Sequence, residues 1–558
     1  MSIQNSVLTD SEKPSRDSVF TSDGVRLFAG IILLVVITQI WLIFQKAINW
    51  DEFLHYGQIY ALEDGRFGKS LQSLHVRLFG WTMLVSEDVI EQIQVARLAM
   101  LGCFFITAAG VVTLARKLVK FETALLCGLA YLTAGYVFTN GFTYRPDPVA
   151  AAALMGALCL LGIGSITWRR IIFAGILIGF AGAMTIKSIF YAPCFAALAI
   201  LWWRQQQEAK LTVIKRCVAI VVAALLSFVV IVGTHAAFLP TGTGQGASVN
   251  RYMDIFLHFF EFEMIRFVFA QMVFAPLVTV GLILLVPAAR KLPIESRILL
   301  IGLCAPLLCI LFYRNTFPYF FTFLLPPICV AIAPVLSKLT ERYGQLGVTA
   351  LAMSGPILLL VNEPYGTLER QRATIAEAER LFPEPTTYLS YSSYVPHYPR
   401  QIPGLISGVG LRRYLKERGG QFAKDIETGQ IAFLIATGDA LDLVFNGDGT
   451  IQMLPERDVR SLKDNFLKHS DTIYILGRQV CSKADQRSVP IYRNGSYTVD
   501  GGNIILGGQV VADGETISLQ AGTHQIQNQQ DGCVKLWALD HVPELPKNFP
   551  AGSIAGGF

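Results

Sequence analysis

The carboxylates Asp51 and Glu52, with His55 beside them, stand in the stretch NWDEFLHYGQIYALEDG at residues 49–65. They follow at once on the unbroken apolar run LFAGIILLVVITQIWLIF at 27–44. If this stretch opens a helix, Asp51 and His55 are four apart and share a face. A carboxylate so placed, at the rim of a lipid-facing cavity, can take a proton from a hydroxyl or amine nucleophile. The plainer reading is a helix start at the interface, with the acids near the positive end of the helix dipole.

Three further places put charge where a membrane bundle resists it, and such charges are functional candidates by default. In TYRPDPVAAAAL (143–154), Arg145 and Asp147 come just before an apolar run, with Pro148 at the expected first helical position. Asp147 could orient Arg145 toward an anion, and a capped helix entry with a local ion pair is the competing reading. In MTIKSIF (184–190), Lys187 falls between two short apolar helices. There it must snorkel to the interface or meet an anion such as a phosphate. In FYRNTFPYFFTFLLPP (312–327), Arg314 precedes an aromatic belt of Phe317, Tyr319, Phe320, Phe321 and Phe323. Belts of this kind often only anchor a protein. With a cation beside it, this one suits a lipid phosphate and its chain. A base, several cations and aromatic walls fit a lipid-linked phosphate leaving group better than an ion pathway, which would need charges in mid-span.

The elements that must position these residues follow from composition. The chain has 558 residues, 53% hydrophobic and only 16% charged, with a mean hydropathy of +0.47. Soluble proteins carry about 25% charged residues, so the shortage marks a polytopic α-helical membrane protein, each span needing roughly 20 apolar residues. A net charge of +5 is too small to signal a nucleic-acid partner. Hydropathy predicts about eleven spans, the first retained because it is too long and too late for a cleaved signal peptide. The apolar stretch 171–203 exceeds one span and is expected to fold as a hairpin turning near Lys187.

One set of loops holds Arg116, Lys117, Lys120, Arg169, Arg170, Arg204, Lys210, Lys215, Arg216, Arg290, Lys291, Lys338 and Arg342. The alternate set holds Asp51, Glu52, Arg145, Asp147, Lys187, Arg251, Arg266 and Arg314. The positive-inside rule then predicts a cytoplasmic N-terminus, with the second set and the C-terminal region outside. The expected domains are a cytoplasmic tail at 1–26, a transmembrane domain at 27–362, an extracytoplasmic α/β domain at 363–486, and a small β-sandwich with its tail at 487–558. Of ten cysteines only Cys481 and Cys533 fall in polar sequence. They could form a disulfide outside the cell, though spacing leaves this open. No P-loop, dinucleotide fingerprint, zinc spacing or nucleophile elbow is present.

Taken in order, WDEFLHYGQIYALEDG, YRPDPVAA, GILIGFAGAMTIKSIFYAP and FPYFFTFLLPP resemble the GT-C superfamily of membrane glycosyltransferases. The nearest parallels are bacterial relatives of the aminoarabinose transferases, the protein O-mannosyltransferases and the lipid A galacturonosyltransferases. The resemblance implies a sugar donor on a polyprenyl phosphate, inverting transfer at the extracytoplasmic face, and a lipid, glycan or protein acceptor in the cell envelope. It implies Asp51 as base, with Glu52 its neighbour, and Lys187 and Arg314 on the donor phosphate. Arg145 and Asp147 match the family's RPD, and His55 and Tyr319 would support the site. Where the aminoarabinose transferases carry Arg three positions after the Asp, this chain has Leu54, and Arg66 or Lys69 could substitute. No nucleotide and no obligatory metal are implied. Some members use a divalent cation, and Asp51 and Glu52 could ligate Mg²⁺ or Mn²⁺, without a full oxygen cage in sight. The alternative functions are a transporter or flippase, for which no internal repeat speaks, and an envelope-assembly subunit with a recognition domain.

Overall fold

The computed structural model describes residues 23–205, 210–240, 264–401, 408–447, 452–481 and 487–557. Most of the tail expected at 1–26, and Arg251, lie outside them. The chain divides into a helical unit, Met1–Lys46 with Leu62–Glu363, and a sheet unit, Ala47–Ala61 with Pro364–Gly557.

Six helices of the helical unit are long and apolar enough to cross a membrane: Asp23–Gln45, Val89–Ala115, Ile186–Arg204, Lys210–Ala237, Ile294–Leu311 and Ala333–Val361. The pair Ile265–Phe274 and Pro276–Ala289, bent by 97°, makes a seventh if it is one span. The chain is thus a multi-pass membrane protein. Other expected spans coincide with the shorter helices Phe121–Leu132, Pro146–Gly162 and Trp168–Met184. Local chemistry sets the ends: Asp88 opens Val89–Ala115 by accepting from the Ile90 and Glu91 amides at 2.7 and 3.4 Å, filling donors a helix start leaves open. The predicted break near Lys187 is present, since Trp168–Met184 and Ala192–Gln205 are joined by a 3₁₀ turn over Ile186–Tyr191 that contains Lys187; the two helices do not pack on each other as a hairpin would.

The helical core is strongly aromatic, with Phe28, Phe104, Tyr131, Phe138, Phe142, Tyr191, Phe320 and Phe323 buried together. Two of its tyrosines fix the short helix Phe320–Leu324. The Tyr131 hydroxyl donates to the Thr322 carbonyl at 2.9 Å, and that of Tyr191 to the Phe323 carbonyl at 2.7 Å. The aromatic belt is therefore core rather than a lipid anchor: Phe320, Phe321 and Phe323 are all buried.

The sheet unit carries eleven strands among the described residues: β1 Tyr388–Ser390, β2 Phe433–Ile435, β3 Phe466–Lys468, β4 Ile473–Val480, β5 Arg487–Ile491, β6 Gly495–Asp500, β7 Ile504–Leu506, β8 Gln509–Val511, β9 Thr516–Leu519, β10 Gly522–Asn528 and β11 Val534–Trp537. One sheet runs β1-β2-β4-β11-β6-β9 with β3 on β4, and a second runs β5-β10-β7-β8. Among the strands of the described residues β1 and β2 pair in parallel and the other pairs are antiparallel. The domain border expected at 486/487 is not where the fold divides. Strand β11 pairs with β4, Trp537 opposite Gly477, so the α/β region and the sandwich share a sheet. Cys481 and Cys533, at the adjoining ends of these strands, form a disulfide. The other departure is at the front, where residues 47–61, expected within the transmembrane domain, belong to the sheet unit.

Candidate functional site

In the helical unit the structure gathers four of the predicted residues. Arg145 is the N-cap of the helix Pro146–Gly162, which begins at Pro146 rather than at the expected Pro148. Proline at a first helical position lacks only an N–H the helix would not use. Asp147 stands in the first turn of that helix. Its Oδ1 lies 2.5 Å from Lys187 Nζ, forty residues along the chain. Lys187 is aimed by Thr185, whose hydroxyl accepts from the Lys187 amide at 3.4 Å. At 9% exposed it does not snorkel. Tyr319 joins both cations: Arg145 Cζ lies 3.3 Å and Lys187 Nζ 5.3 Å from its ring centroid. Phe320 adds a second face, 5.6 Å from Lys187 Nζ, and Phe317 stacks on Tyr319. Cation–π contacts of this kind strengthen as water is excluded.

Arg145, Asp147 and Tyr319 are also buried. Arg314 lies half-buried at the head of the loop leading to Tyr319, directly after Tyr313, which packs on Phe320. Arg145, Asp147 and Lys187 thus meet around one aromatic ring, and a guanidinium and an ammonium are the side chains that bind phosphate.

The other predicted residues lie in the sheet unit. The helix Trp50–Glu63 forms as expected, opened by reciprocal capping. The Asn49 side chain accepts from the Asp51 amide at 3.0 Å, and Glu52 accepts from the Asn49 amide at 3.0 Å, as in a capping box. Glu52 is fully buried, so one oxygen of the expected catalytic neighbour holds the helix start. Asp51 and His55 are half-buried on the same helix. The helix packs on the segment after β1: Trp50 meets Tyr391 edge-on at 5.7 Å, Phe53 meets Tyr394 at 5.0 Å, and the Ser392 hydroxyl donates to the Trp50 carbonyl. Gly57 permits this approach, because a Cβ there would stand 2.5 Å from that of Ser393.

Sequence reasoning missed what holds the strand leading into Asp51. Gln371 is buried. It accepts from the Ile48 amide at 2.9 Å and donates to the Ile48 and Ile554 carbonyls at 2.8 and 2.9 Å, while Asn49 bridges to Gly556. A lone Gln in a helical stretch gives no sign of such a clamp. It also missed Arg97, fully buried in the helical unit, which donates to the Ile43 and Lys46 carbonyls at 3.3 and 2.9 Å and so closes the end of the first span.

Among the described residues no three His, Cys, Asp or Glu side chains gather as a metal set. Asp51 and a capping Glu52 alone do not fit the oxygen cage of Mg²⁺ or Mn²⁺, and no step is derived through a metal.

No protein-family model and no curated protein matches the chain. Solved structures do. The oligosaccharyltransferase of Archaeoglobus fulgidus in its apo form superposes with a TM-score of 0.53 at 11% identity, over 77% of this chain and 71% of that one. ArnT from Cupriavidus metallidurans, bound to undecaprenyl phosphate, gives a TM-score of 0.44 at 16% identity, over 64% and 70%. The archaeal AglB, also from Archaeoglobus fulgidus, with an inhibitory peptide and a dolichol-phosphate, gives 0.49 at 11%, over 73% and 69%. The chain shares the fold of this archaeal oligosaccharyltransferase in its apo form.

Proposed function

We propose that the chain is an integral membrane glycosyltransferase that moves a sugar, with inversion, from a polyprenyl-phosphate carrier to an envelope lipid, glycan or protein. The observation that carries this reading is the buried Arg145–Asp147–Lys187–Tyr319 group, which brings a guanidinium and an ammonium to one aromatic ring. A guanidinium and an ammonium side by side offer a donor phosphate charge-assisted hydrogen bonds. Arg145, Lys187 and Arg314 hold the phosphate, Asp147 keeps Lys187 aimed, and Tyr319 walls the site.

The acceptor's hydroxyl or amine attacks the anomeric carbon while the bond from that carbon to the phosphate oxygen breaks. The electron pair stays on the phosphate, whose growing charge the cations stabilise. The acceptor proton goes to Asp51, with Glu52 and His55 supporting it. The membrane arrangement that goes with this chemistry has about eleven passes, the N-terminus in the cytoplasm of a cell with an inner membrane, and the sheet unit outside.

The test is Asp51→Asn in the purified full chain. Loss of a general base lowers turnover by about 10²–10⁴-fold with thermal stability unchanged. Retained transfer would remove Asp51 from the mechanism. Mass spectrometry of envelope lipids and glycans with and without the gene would identify the sugar, and the anomeric configuration of the product tests inversion.

A further inference from the structure

The carboxyl ends of the parallel strands β1 and β2 carry a second concentration of unused polar groups, remote in sequence from every residue assigned above. Ser390 ends β1 opposite Ile435 of β2, and its hydroxyl, fully covered, makes no hydrogen bond among the described residues. Thr437 follows β2 by two residues. Its covered hydroxyl and that of Tyr394 face each other without closing a hydrogen bond of good geometry. Gly438, at a positive φ of 77°, lets the Tyr391 ring lie against this turn.

Arg400 completes the set. It is half-buried, pairs by backbone with Tyr388, and sends Nη1 to the Ser390 and Tyr391 carbonyls at 3.4 and 3.3 Å. Its Nε is covered and has no acceptor. Burial pushes the guanidinium down to about 10, against the pull of Tyr388 and Tyr394.

An arginine that merely braced a turn would meet a carboxylate or well-placed carbonyls. Arg400 meets two carbonyls at the far limit of hydrogen bonding and no carboxylate among the described residues. A half-buried cation with a covered Nε lacks, among the described residues, the acceptor that normally accompanies it. The groups around it, three hydroxyls and the rings of Tyr388 and Tyr391, are those that recognise hydroxylated, anionic molecules. Carboxyl ends of parallel strands are also where α/β folds bind ligands.

We propose that Arg400, with Ser390, Tyr394 and Thr437, forms an anion-recognition site of the sheet unit that takes a phosphate or carboxylate on a hydroxyl-rich headgroup. The identification of that headgroup as the acceptor's rests on the transferase reading; the anion site does not.

The experiment is thermal melting of the purified full chain in detergent, titrated with inorganic phosphate at constant ionic strength. Wild type and Lys187→Gln are expected to show a saturable rise in melting temperature that Arg400→Gln weakens at least tenfold in apparent affinity. A rise that survives Arg400→Gln but disappears in Lys187→Gln overturns this proposal and leaves the donor reading intact. Loss in Arg400→Gln alone supports it whatever becomes of the donor reading. If Arg400→Gln does not fold, Ser390→Ala and Thr437→Val replace it, with a severalfold loss of affinity expected; unchanged affinity in both overturns the site. A second arm puts the chain in nanodiscs with and without phosphatidic acid. An Arg400-dependent response to free phosphate points to a soluble sugar phosphate, and one confined to phosphatidic acid points to a lipid headgroup. No Arg400-dependent response in either arm refutes the proposal.

Discussion

The two units handle buried charge by different means. In the helical unit charge meets charge: Asp147 faces Lys187, and Lys46 faces Glu363 at 2.8 Å with both side chains nearly covered. In the sheet unit a buried carboxylate can rest on neutral donors. Asp458 accepts from the Tyr414 hydroxyl at 2.7 Å and from the Gly420 and Ala423 amides at 3.0 Å each. The difference follows from what the backbone leaves open. Membrane-spanning helices use their own amides internally, so a carboxylate there meets a counter-charge, while a cation can rest on carbonyls at a span's end, as Arg97 does. Short helices and loops have amides to spare at their starts.

The sharpest way to break this comparison is to remove one member of the Asp147–Lys187 pair. Lys187→Met leaves a buried carboxylate beside Arg145 alone and is expected to cost about 3–5 kcal/mol, read by thermal or denaturant unfolding in detergent, and to abolish transfer. The double variant Lys187→Met/Asp147→Leu is expected to recover most of that stability and none of the activity. If the double variant transfers sugar, the pair is structural and the phosphate contact lies elsewhere.

A smaller effect is expected in the sheet unit at Gln371, whose partners are neutral. Gln371→Ala removes three hydrogen bonds around Ile48 and Ile554, each worth about 0.5–1.5 kcal/mol. A loss of about 2–3 kcal/mol in the unfolding of the purified chain is expected. Turnover should fall while the affinity for donor is kept, because the strand leading into Asp51 loses its clamp. An unchanged turnover would mean that the helix start is held well enough by Asn49 and Glu52.

How much of this could be read in the sequence depends on how local each feature is. The break at Lys187 and the helix carrying Asp51 and His55 were legible because run length and spacing are local properties. The capping box was equally readable as Asn-x-x-Glu, yet Glu52 invites a catalytic reading because its type fits both roles. The pairing of Asp147 with Lys187 was hidden, since it depends on how segments forty residues apart pack. The sharing of one sheet by β4 and β11 was hidden for the same reason. Hydropathy also counts runs rather than helices. It assigned 122–140 a single span, whereas the chain there forms Phe121–Leu132, a glycine at positive φ (Gly135), and Tyr136–Asn140. Arg400 was quoted nowhere as a candidate because a single arginine in a tyrosine-rich strand and turn carries no periodic signal.

The smallest expected effect is that of acid on the sheet unit. Burial pushes the Glu377 carboxyl up, but hydrogen bonds from Arg380 and His469 outweigh it and hold it below the ordinary carboxylate range. Burial pushes the His469 imidazole down, outweighing the pull of Glu377, and pushes His397 down as well. A histidine held below its ordinary value of 6.5 stays neutral in the folded state while the unfolded chain takes up a proton. The stability it contributes is therefore whole above that value and falls as pH drops through it. Glu377 adds a second loss only further down, as pH falls from the ordinary glutamate value of 4.5 toward its depressed folded one. Each proton so taken up lowers stability by about 1.4 kcal/mol per pH unit. Unfolding of the sheet unit, followed by near-ultraviolet circular dichroism or by amide exchange in β1–β4, is expected to ease from pH 7 to 5.5. His469→Gln, which keeps a neutral donor to Glu377, is expected to flatten part of that slope. A slope unchanged by His469→Gln and by His397→Gln would place the acid sensitivity outside this network.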